Sequence, residues 1–559
     1  MLRNLLKRFA PVVTTKDRDA AGALVIAALE HHQGGRLLEA RALYEQALAK
    51  DPRNADALHF AGVIAFQRGR HAQAVELISQ ALARNGTNPP AHNNLGNALL
   101  ALGRTEEAAA SYRQAIALHA EYVDAHVNLG AVLLKQGKSD EAAACYEGGL
   151  AVVPDSAQLH FSLASVQTDS GKLEEAVAGF RKALAIQPEY PAAYNGLAAA
   201  LFALARVAEA EESYRAALTL RPDFPQAKFG CSLAKLMQGD YAEGFALFEA
   251  RFEKSALGEP ASAALLDRLD QLRSVPRWRG ERVAGKALLV WTDQGFGDTL
   301  MFMRYLRLLN ARGFARVIVQ CEPPLARLLR ADPGVDEVVL QEARAPFGAF
   351  DYHCPMSSLP LAFGTRLDSI PGGSRYVTVP DGMKEQWARR VAGVGPLRVG
   401  LIWAGRPDFP KDALRSIRLQ RFAPLFEVGG IAFVSLQKGA AAAQRAATGW
   451  TILDCMDECA DLLDTAALIE QLDLVIGVDT GVLHLAAALG RPTWLLNRFE
   501  SEWRWMLDTE NCRWYPTLRI FRQREPGAWD EVLLRVAEAL RGLASADPAA
   551  PAPAIRGSA

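Results

Sequence analysis

Residues 89–122, PPAHNNLGNALLALGRTEEAAASYRQAIALHAEY, decide the fold of the first half of this chain, because residues 123–156, VDAHVNLGAVLLKQGKSDEAAACYEGGLAVVPDS, repeat their pattern. Each stretch is 34 residues long and carries a small residue, a second small residue twelve positions later, and a large residue four positions after that. The three series extend in both directions along the chain and comprise, in turn, Ala28, Gly62, Gly96, Gly130, Ala164, Ala198 and Ser232; Ala40, Ala74, Ala108, Ala142, Ala176, Ala210 and Gly244; and Tyr44, Ile78, Tyr112, Tyr146, Phe180, Tyr214 and Phe248.

Two small residues and one large residue at fixed offsets are what a pair of close-packed helices requires. The small residues let the helix backbones approach, and the large side chain fills the gap to the next pair. Turn-forming glycines and helix-ending prolines recur at the same period; they are Gly69, Gly103, Gly137, Gly171 and Gly239 within units and Pro52, Pro154, Pro188 and Pro222 between units. The pattern predicts seven helical hairpins over residues 20–254, stacked into a right-handed α-solenoid with a concave groove.

This period and pattern resemble the tetratricopeptide (TPR) repeat. The resemblance implies that the first half binds a protein partner in its groove and carries no catalysis, so that any reaction belongs to the second half. In the TPR arrays of O-linked N-acetylglucosamine transferases, asparagines line the groove and hold a peptide backbone. At the matching position Asn94 and Asn128 are the asparagines of this chain. They are the candidate groove residues, although a pair of polar surface residues fits the pattern as well.

Composition restricts the class of protein. Half of the 559 residues are hydrophobic and the formal net charge is −1, which excludes a generally disordered chain and gives no electrostatic reason to expect a nucleic-acid partner. The seven cysteines form no CxxC pair, so neither a zinc ribbon nor a disulfide framework is expected, and a cytoplasmic location fits best. Residues 1–19 lack the apolar core of a signal peptide; we expect a tail that at most touches a membrane surface.

The pattern changes at Lys286, where short apolar runs begin to alternate with helical stretches. Such alternation predicts parallel sheets with right-handed crossovers, in two Rossmann-like subdomains at 286–392 and 393–545 that face each other across a cleft. A capping helix and linker at 255–285 and a disordered tail at 546–559 complete the expected organisation. The predicted strands are Ala287–Trp291, Arg316–Cys321, Glu337–Leu340, Asp351–Cys354, Tyr376–Val379, Arg398–Ala404, Ile431–Leu436, Thr451–Asp454, Leu472–Val478 and Pro492–Leu496.

Two strand-to-helix junctions carry the candidate chemistry. At the first, Gly295 and Gly297 allow backbone N–H groups to approach a ligand, and Asp298 opens a predicted helix, Thr299–Ala311. At the second, a strand is followed by capping residues and a helix tip, whose free N–H groups and positive dipole suit a diphosphate. The residues of this second junction are Asp479, Thr480, Gly481 and, in the first turn, His484.

These junctions resemble those of the heptosyltransferase family of GT-B glycosyltransferases, which is the glycosyltransferase family 9 pattern. The resemblance rests on Gly297-Asp298, on Asp479-Thr480-Gly481 with His484, and on a central loop, VGLIWAG at 399–405 followed by Arg415-Ser416-Ile417. It implies a GT-B fold after the solenoid, a nucleotide-sugar donor bound by the later subdomain, and Asp298 as the base that activates an acceptor hydroxyl. It also implies inversion at the sugar without a metal or other cofactor. The residues expected to bind donor or phosphate are Gly295, Gly297, Arg415, Ser416, Lys438, Asp479, Thr480, Gly481 and His484.

The sequence leaves two questions open. The tract ESEWRW at 500–505 departs from the lipopolysaccharide enzymes of the family, so the acceptor is either a protein, as the TPR resemblance suggests, or a lipid-linked saccharide. The second question is whether the GT-B domain catalyses sugar transfer at all. An adaptor protein whose GT-B domain is catalytically silent would show the same repeats and the same fold.

Overall fold

The computed structural model describes residues 14–254, 256, 261–341, 350–409 and 411–545. Residues 1–13 of the predicted N-terminal tail and the predicted disordered tail at 546–559 lie outside the described residues. The chain divides into two compact units, residues 1–200 and 201–559. No helix in the described ranges has the length and apolarity needed to span a bilayer.

The first unit is built of antiparallel helical hairpins. Its helices are α1 Thr15–Gln33, α2 Leu37–Lys50, α3 Ala55–Gln67, α4 His71–Leu82, α5 Pro89–Ala101, α6 Thr105–Leu118, α7 Val123–Lys135, α8 Ser139–Val152, α9 Ala157–Asp169, α10 Leu173–Ile186 and α11 Pro191–Ala203, the last of which crosses the boundary between the units. Helix α1 begins earlier than the predicted start at residue 20, because Thr14 and Asp17 form a capping box at its first turn. This corrects the predicted end of the tail at residue 19.

The small and large residues of the repeat pack as the sequence predicts. A Cβ atom on Gly96 would lie 2.5 Å from the ring of Tyr112 in the same hairpin, and Gly130 faces Tyr146 in the same way. Farther along, the ring of Phe180 approaches Gly196 of the next hairpin to 2.6 Å by the same measure. The large residue therefore packs against both its own hairpin and the following one, and a side chain at either glycine would have to displace it.

The turns inside the repeats use the left-handed region of backbone space. Gly69, Gly103, Gly137 and Gly171 have φ between 73° and 75°, and Gly239 has φ of 84°. At the corresponding place in the sixth repeat stands Ala205, with φ of 59°. A residue with a Cβ is strained by about 1–2 kcal/mol in this region.

We therefore expect Ala205→Gly to raise the free energy of unfolding by about 0.5–1 kcal/mol, because relief of strain exceeds the added entropy of the unfolded chain. Urea-induced unfolding followed by circular dichroism measures the change. The matched control is Ala216→Gly, the same substitution inside the next helix, Val207–Leu220, which should lower stability by about 1 kcal/mol. A loss of stability in Ala205→Gly would show that the turn is unstrained.

The second unit begins with the end of the repeat array and continues into the α/β region. Its helices are α12 Val207–Leu220, α13 Pro225–Met237, α14 Tyr241–Phe248, α15 Ala261–Gln271, α16 Phe296–Phe302, α17 Ala326–Arg330, α18 Leu359–Ala362, α19 Asp381–Arg390, α20 Asp412–Arg415, α21 Ala423–Phe426, α22 Leu462–Ile469, α23 Gly481–Ala488 and α24 Trp529–Ala544. Its strands are β1 Lys286–Trp291, β2 Phe314–Cys321, β3 Glu337–Leu340, β4 Tyr352–Pro355, β5 Leu397–Ile402, β6 Ile431–Ser435, β7 Ile452–Asp454, β8 Leu474–Val478, β9 Thr493–Asn497 and β10 Leu518–Arg522.

The strands form two parallel sheets, as the alternating pattern predicts. The first has the order β3-β2-β1-β4 and the second the order β10-β9-β8-β5-β6-β7. The chain thus consists of a helical TPR solenoid followed by an α/β region with two parallel sheets, an arrangement consistent with a GT-B-like domain. In both sheets a central strand, β1 or β8, leads at its carboxyl end into a helix tip, which is where ligands bind in open α/β sheets.

One predicted strand is wrong, and one strand was not predicted. The stretch Tyr376–Val379 forms no strand and joins neither sheet; instead the N–H groups of Tyr376 and Val377 donate to the carbonyl of Ala488 at 3.1 and 3.3 Å. The strand that was not predicted is β10, an edge strand that pairs with β9.

Candidate functional site

The tip of α16 follows β1 and carries Asp298. The helix begins at Phe296 with Gly295 as its N-cap, so Asp298 is the third residue of the helix rather than the residue before it. The helix is also shorter than predicted, since it ends at Phe302 and continues only as a 3₁₀ turn, Met303–Leu308. A carboxylate in the first turn still faces the free N–H end of the helix dipole, which stabilises its charge.

The carboxylate of Asp298 forms an ion pair with Arg504, which the sequence analysis did not identify. Arg504 lies in a 3₁₀ turn, Trp503–Trp505, that follows β9. The side chains of Asp298 and Arg504 are 19% and 11% exposed. A second carboxylate, that of Glu502, accepts from Nη1 of Arg504 at 2.8 Å. The pair therefore joins the helix tip of the first sheet to a loop of the second.

The tip of α23 follows β8 and carries the Asp-Thr-Gly sequence. Thr480 stands at the N-cap position, but its side chain makes no capping hydrogen bond. Its Oγ1 atom is buried and has no hydrogen-bond partner among the described residues. The N–H of His484 donates to the carbonyl of the N-cap Thr480 at 3.1 Å, whereas the three N–H groups before it, at 481–483, have no partner among the described residues. The tip therefore offers free donors, as a binding site for an anion does.

Asp479, directly before this tip, is held by three side chains. Nε1 of Trp505 donates to its Oδ2 at 2.9 Å, Nη1 of Arg415 donates to its backbone carbonyl at 2.9 Å, and Nε2 of His484 lies 3.3 Å from its Oδ1. Burial favours the neutral acid, but the hydrogen bonds from His484 and Trp505 and the charge of Arg415 outweigh it and hold the pKa of Asp479 below its usual value.

His484 connects the two helix tips. It is buried, and its Nδ1 lies 2.8 Å from the hydroxyl of Tyr515. A Cβ on Gly297 would lie only 2.8 Å from the imidazole Cδ2, and one on Gly481 would lie 3.1 Å from Cβ of Phe296. Gly297 thus serves the close packing of α16 against His484, whereas Gly295 is exposed at the start of the helix. We call Asp298, Arg415, Asp479 and Arg504, together with the adjoining His484, the charged cluster.

The central loop contributes Arg415 to this cluster, and Ser416 stabilises the conformation of the loop. The hydroxyl of Ser416 donates to Asp412 at 2.6 Å and accepts from the N–H of Gly405 at 2.9 Å. Nε of Arg415 also donates to Asp412, at 3.0 Å. Asp412, which the sequence analysis did not single out, therefore orients the guanidinium that reaches Asp479. Ser416 makes structural contacts rather than contacts within the cluster.

Lys438 is exposed, and its ammonium donates to the carbonyl of Cys459. None of its described contacts joins it to the charged cluster, so the structure does not bring it together with the other predicted donor residues. Its neighbour Gln437 was missed. The Gln437 side-chain carbonyl accepts from the N–H groups of Trp403 and Ala404 at 3.1 and 2.9 Å, which fixes the loop after β5 against the loop after β6.

The candidate groove asparagines bond to neighbouring repeats. Nδ2 of Asn94 donates to Nε2 of His59 at 2.9 Å, and Nδ2 of Asn128 donates to Oδ1 of Asn93 at 2.9 Å. Burial lowers the pKa of His59 to about 4, so its imidazole is neutral and accepts the hydrogen bond. These contacts join consecutive hairpins, and a role of Asn94 and Asn128 in binding a peptide stays a prediction.

A buried ionic network, also missed, supports the loop before α16. Arg251 lies in a 3₁₀ turn, Glu249–Phe252, after the last repeat helix, and its side chain is fully buried. Its Nε donates to Asp293 at 3.1 Å, and Asp293 also accepts from the backbone N–H of Ser357 at 3.0 Å. The end of the repeat array therefore fixes the loop that carries Gly295 and leads to Asp298.

Comparison with known families agrees with both resemblances. Tetratricopeptide-repeat profiles match residues 31–98, 65–111, 96–137, 132–191 and 167–236. The profile of glycosyltransferase family 9 (heptosyltransferase) matches residues 433–502. The N-terminal region therefore carries TPR repeats, and the C-terminal region contains glycosyltransferase family 9 sequence. The matched segment includes Asp479 and His484, whereas Asp298, Arg415 and Arg504 lie outside it.

The chain is also similar to individual proteins. It is 29% identical to protein FlbA of Caulobacter vibrioides over 334 residues, which make up 56% of this chain and 54% of FlbA. The match thus spans about half the length of that curated relative. Among solved structures, PilF of Pseudomonas aeruginosa is 21% identical with a TM-score of 0.35, and the match covers 38% of this chain and 96% of PilF. A thermophilic TPR protein of Thermus thermophilus is 25% identical with a TM-score of 0.28, over 32% of this chain and 98% of that protein.

Proposed function

We propose that this protein is an inverting, metal-independent glycosyltransferase that moves a sugar from a nucleotide-sugar donor to an acceptor hydroxyl. The observation that carries the proposal is the charged cluster, in which a carboxylate from the tip of α16 lies beside the free donors at the tip of α23. A transferase of this kind needs both parts, because one must take a proton from the acceptor while the other stabilises the departing diphosphate.

On the donor side, the tip of α23 would bind the diphosphate through its free N–H groups and the hydroxyl of Thr480. Arg415 lies close enough to Asp479 to add a positive charge there. A fixed cation and a helix dipole together stabilise the negative charge that develops on a leaving diphosphate, so that no metal is required in this scheme. Asp479 would hold His484, Trp505 and Arg415 in position around the same tip.

On the acceptor side, Asp298 would accept the hydroxyl proton as the oxygen attacks the anomeric carbon from the face opposite the diphosphate. Attack from that face inverts the configuration. The TPR array would present the acceptor or a partner protein, since such arrays bind extended segments in their groove. A protein acceptor and a lipid-linked saccharide are both compatible with this scheme.

One observation favours a second candidate function, a TPR adaptor with a silent GT-B domain. Gly297 packs directly against His484, and Asp298 is engaged by Arg504, so α16 and α23 already contact each other and the candidate base already has a protein partner. An adaptor that never turns over a donor would tolerate this arrangement permanently. A transferase would have to exchange these contacts for substrate.

Release of nucleoside diphosphate distinguishes the two functions. We expect the full-length protein to release UDP, ADP or GDP from at least one member of a panel of nucleotide sugars, by slow hydrolysis alone and faster with an acceptor. A coupled enzymatic assay for each diphosphate measures the release, and intact-mass shifts of co-expressed proteins report a protein acceptor. Absence of binding and of release across the whole panel would contradict the transferase and favour the adaptor.

A further inference from the structure

The guanidinium of Arg504 is buried between two carboxylates and is still incompletely satisfied. It bonds Asp298 and Glu502, yet its Nε atom is buried and has no hydrogen-bond partner among the described residues. Burial lowers the pKa of Arg504 to about 10. A guanidinium presents five donors in a planar fork, so this one retains capacity for a further acceptor.

Other unsatisfied donors lie in the same corner, which is the region around Arg504, Glu502 and the tip of α23; Arg498 belongs to it because its Nη2 donates to Glu502 at 3.3 Å. Nη1 of Arg498 and Oγ1 of Thr480 are buried without a partner among the described residues. The indole of Trp505, the residue after Arg504, bonds Asp479, which directly precedes Thr480. Arg504 is therefore tied to the tip of α23 as well as to Asp298. Several buried donors that lack acceptors at one place indicate that an anionic ligand belongs there.

The ion pair between Arg504 and Asp298 also opposes the proposed role of Asp298 as a base. A carboxylate that is paired with a buried guanidinium is a weaker proton acceptor than a free one, because the positive charge stabilises its ionised form. Asp298 is therefore a poor base for as long as Arg504 holds it. A diphosphate carries more negative charge than one carboxylate and is bound by guanidinium through two parallel hydrogen bonds, so it competes effectively for Arg504.

We propose that Arg504 is a switch between two partners: without nucleotide it holds Asp298, and when a nucleoside diphosphate group occupies the corner, its guanidinium binds the diphosphate and releases the Asp298 carboxylate. This inference rests on the proposed function, because it concerns the same donor site. It makes donor binding the step that activates the base, so that the acceptor is deprotonated only when a donor is present. Glu502 keeps Arg504 in the corner in both states.

Opposite effects of two variants test the switch. Isothermal titration calorimetry of the full-length protein with UDP, ADP and GDP, and with the corresponding monophosphates, gives the affinities. Arg504→Ala should weaken binding of the preferred diphosphate about tenfold or more, and weaken the monophosphate less. Asp298→Asn should instead tighten diphosphate binding about three- to tenfold, because it removes the competing charge. The double variant should resemble Arg504→Ala, since the competition exists only while the arginine is present.

Controls separate the switch from a structural role. Arg504→Lys keeps a charge and should bind diphosphate better than Arg504→Ala, whereas Arg519→Ala removes an exposed arginine paired with Glu510 and should change nothing. If Arg504→Ala does not fold, the direction of the change in diphosphate affinity in Asp298→Asn is by itself enough to test the switch. If the wild type binds a diphosphate and Asp298→Asn binds it equally well or more weakly, the switch is overturned and the proposed function is left intact. No binding of any diphosphate by the wild type overturns both.

Discussion

Substitution of Arg251 by methionine is expected to lower the free energy of unfolding by about 3–5 kcal/mol, the usual cost of leaving one partner of a buried ion pair without the other. Arg251 and Asp293 are both fully buried in their side chains. The guanidinium also donates to the carbonyl of Phe248 at 3.0 Å and to the hydroxyl of Ser358 at 2.6 Å. Methionine has a similar length but supplies none of these donors, so the Asp293 carboxylate would stay buried with only neutral partners.

Urea-induced unfolding of the full-length protein measures this loss, provided that the transition of residues 201–559 is followed by tryptophan fluorescence. Arg519→Met is the matched control, because its pair with Glu510 is exposed and should be worth less than about 1 kcal/mol. Adding Asp293→Asn to Arg251→Met should recover part of the loss, since the uncompensated charge is then gone. An effect of Arg251→Met as small as that of the control would mean that water reaches Asp293.

The Arg251–Asp293 pair and the repeats show which contacts could be predicted from the sequence and which could not. The repeats were predictable because their packing is local and periodic: Tyr112 and Gly96 lie in one hairpin, and the pattern recurs in its neighbours. The two ion pairs were not, because no sequence pattern links their members. Arg251 and Asp293 are 42 residues apart, and Asp298 and Arg504 are 206 residues apart. Each arginine could be read only as a surface charge until the fold brought it to its partner.

The errors in predicting the strands also arise because contacts between distant parts of the chain cannot be seen in the sequence. β10, LRIFR, contains two arginines and does not read as an apolar strand, yet Arg522 is accommodated by donating to the carbonyls of Trp505 and Met506 at 2.8 and 2.6 Å. Conversely, Tyr376, Val377 and Val379 are buried although their stretch pairs in neither sheet, and Thr378 between them is exposed. Apolar composition thus predicted burial correctly and strand pairing incorrectly.

The helix tips were predicted as ligand sites, but their mutual contact was not. Gly297 was interpreted as allowing a ligand to approach the backbone and Gly481 as a donor-binding residue, whereas the structure packs His484 and Phe296 against them. A glycine in a sequence indicates that the backbone lies close to another group, but it does not say whether that group belongs to a ligand or to the protein. The two junctions could therefore be identified from the sequence, whereas the contact between them and the partners of Asp298 could not.

Asp298→Asn is expected to reduce kcat for sugar transfer about 10²–10⁴-fold, the range by which a positioned general base accelerates a reaction. Asparagine has the same shape and its side-chain carbonyl can still accept from Arg504, so the fold should be retained, but it cannot take the acceptor proton. Donor KM should fall rather than rise, because the switch predicts tighter diphosphate binding in this variant. A loss of kcat without a rise in donor KM would separate the missing base from a damaged donor site.

Asp381→Asn is the matched control for this variant, since Asp381 also lies in the first turn of a helix, α19, and is highly exposed. It should leave kcat within about twofold of wild type, as expected for an exposed charge outside the site. The acceptor must be present in the assay, because donor hydrolysis by water depends less on a base aligned with the acceptor. If Asp298→Asn transfers sugar at the wild-type rate while Asp381→Asn does too, the proton goes elsewhere, and Asp298 serves only to hold Arg504 beside the tip of α23.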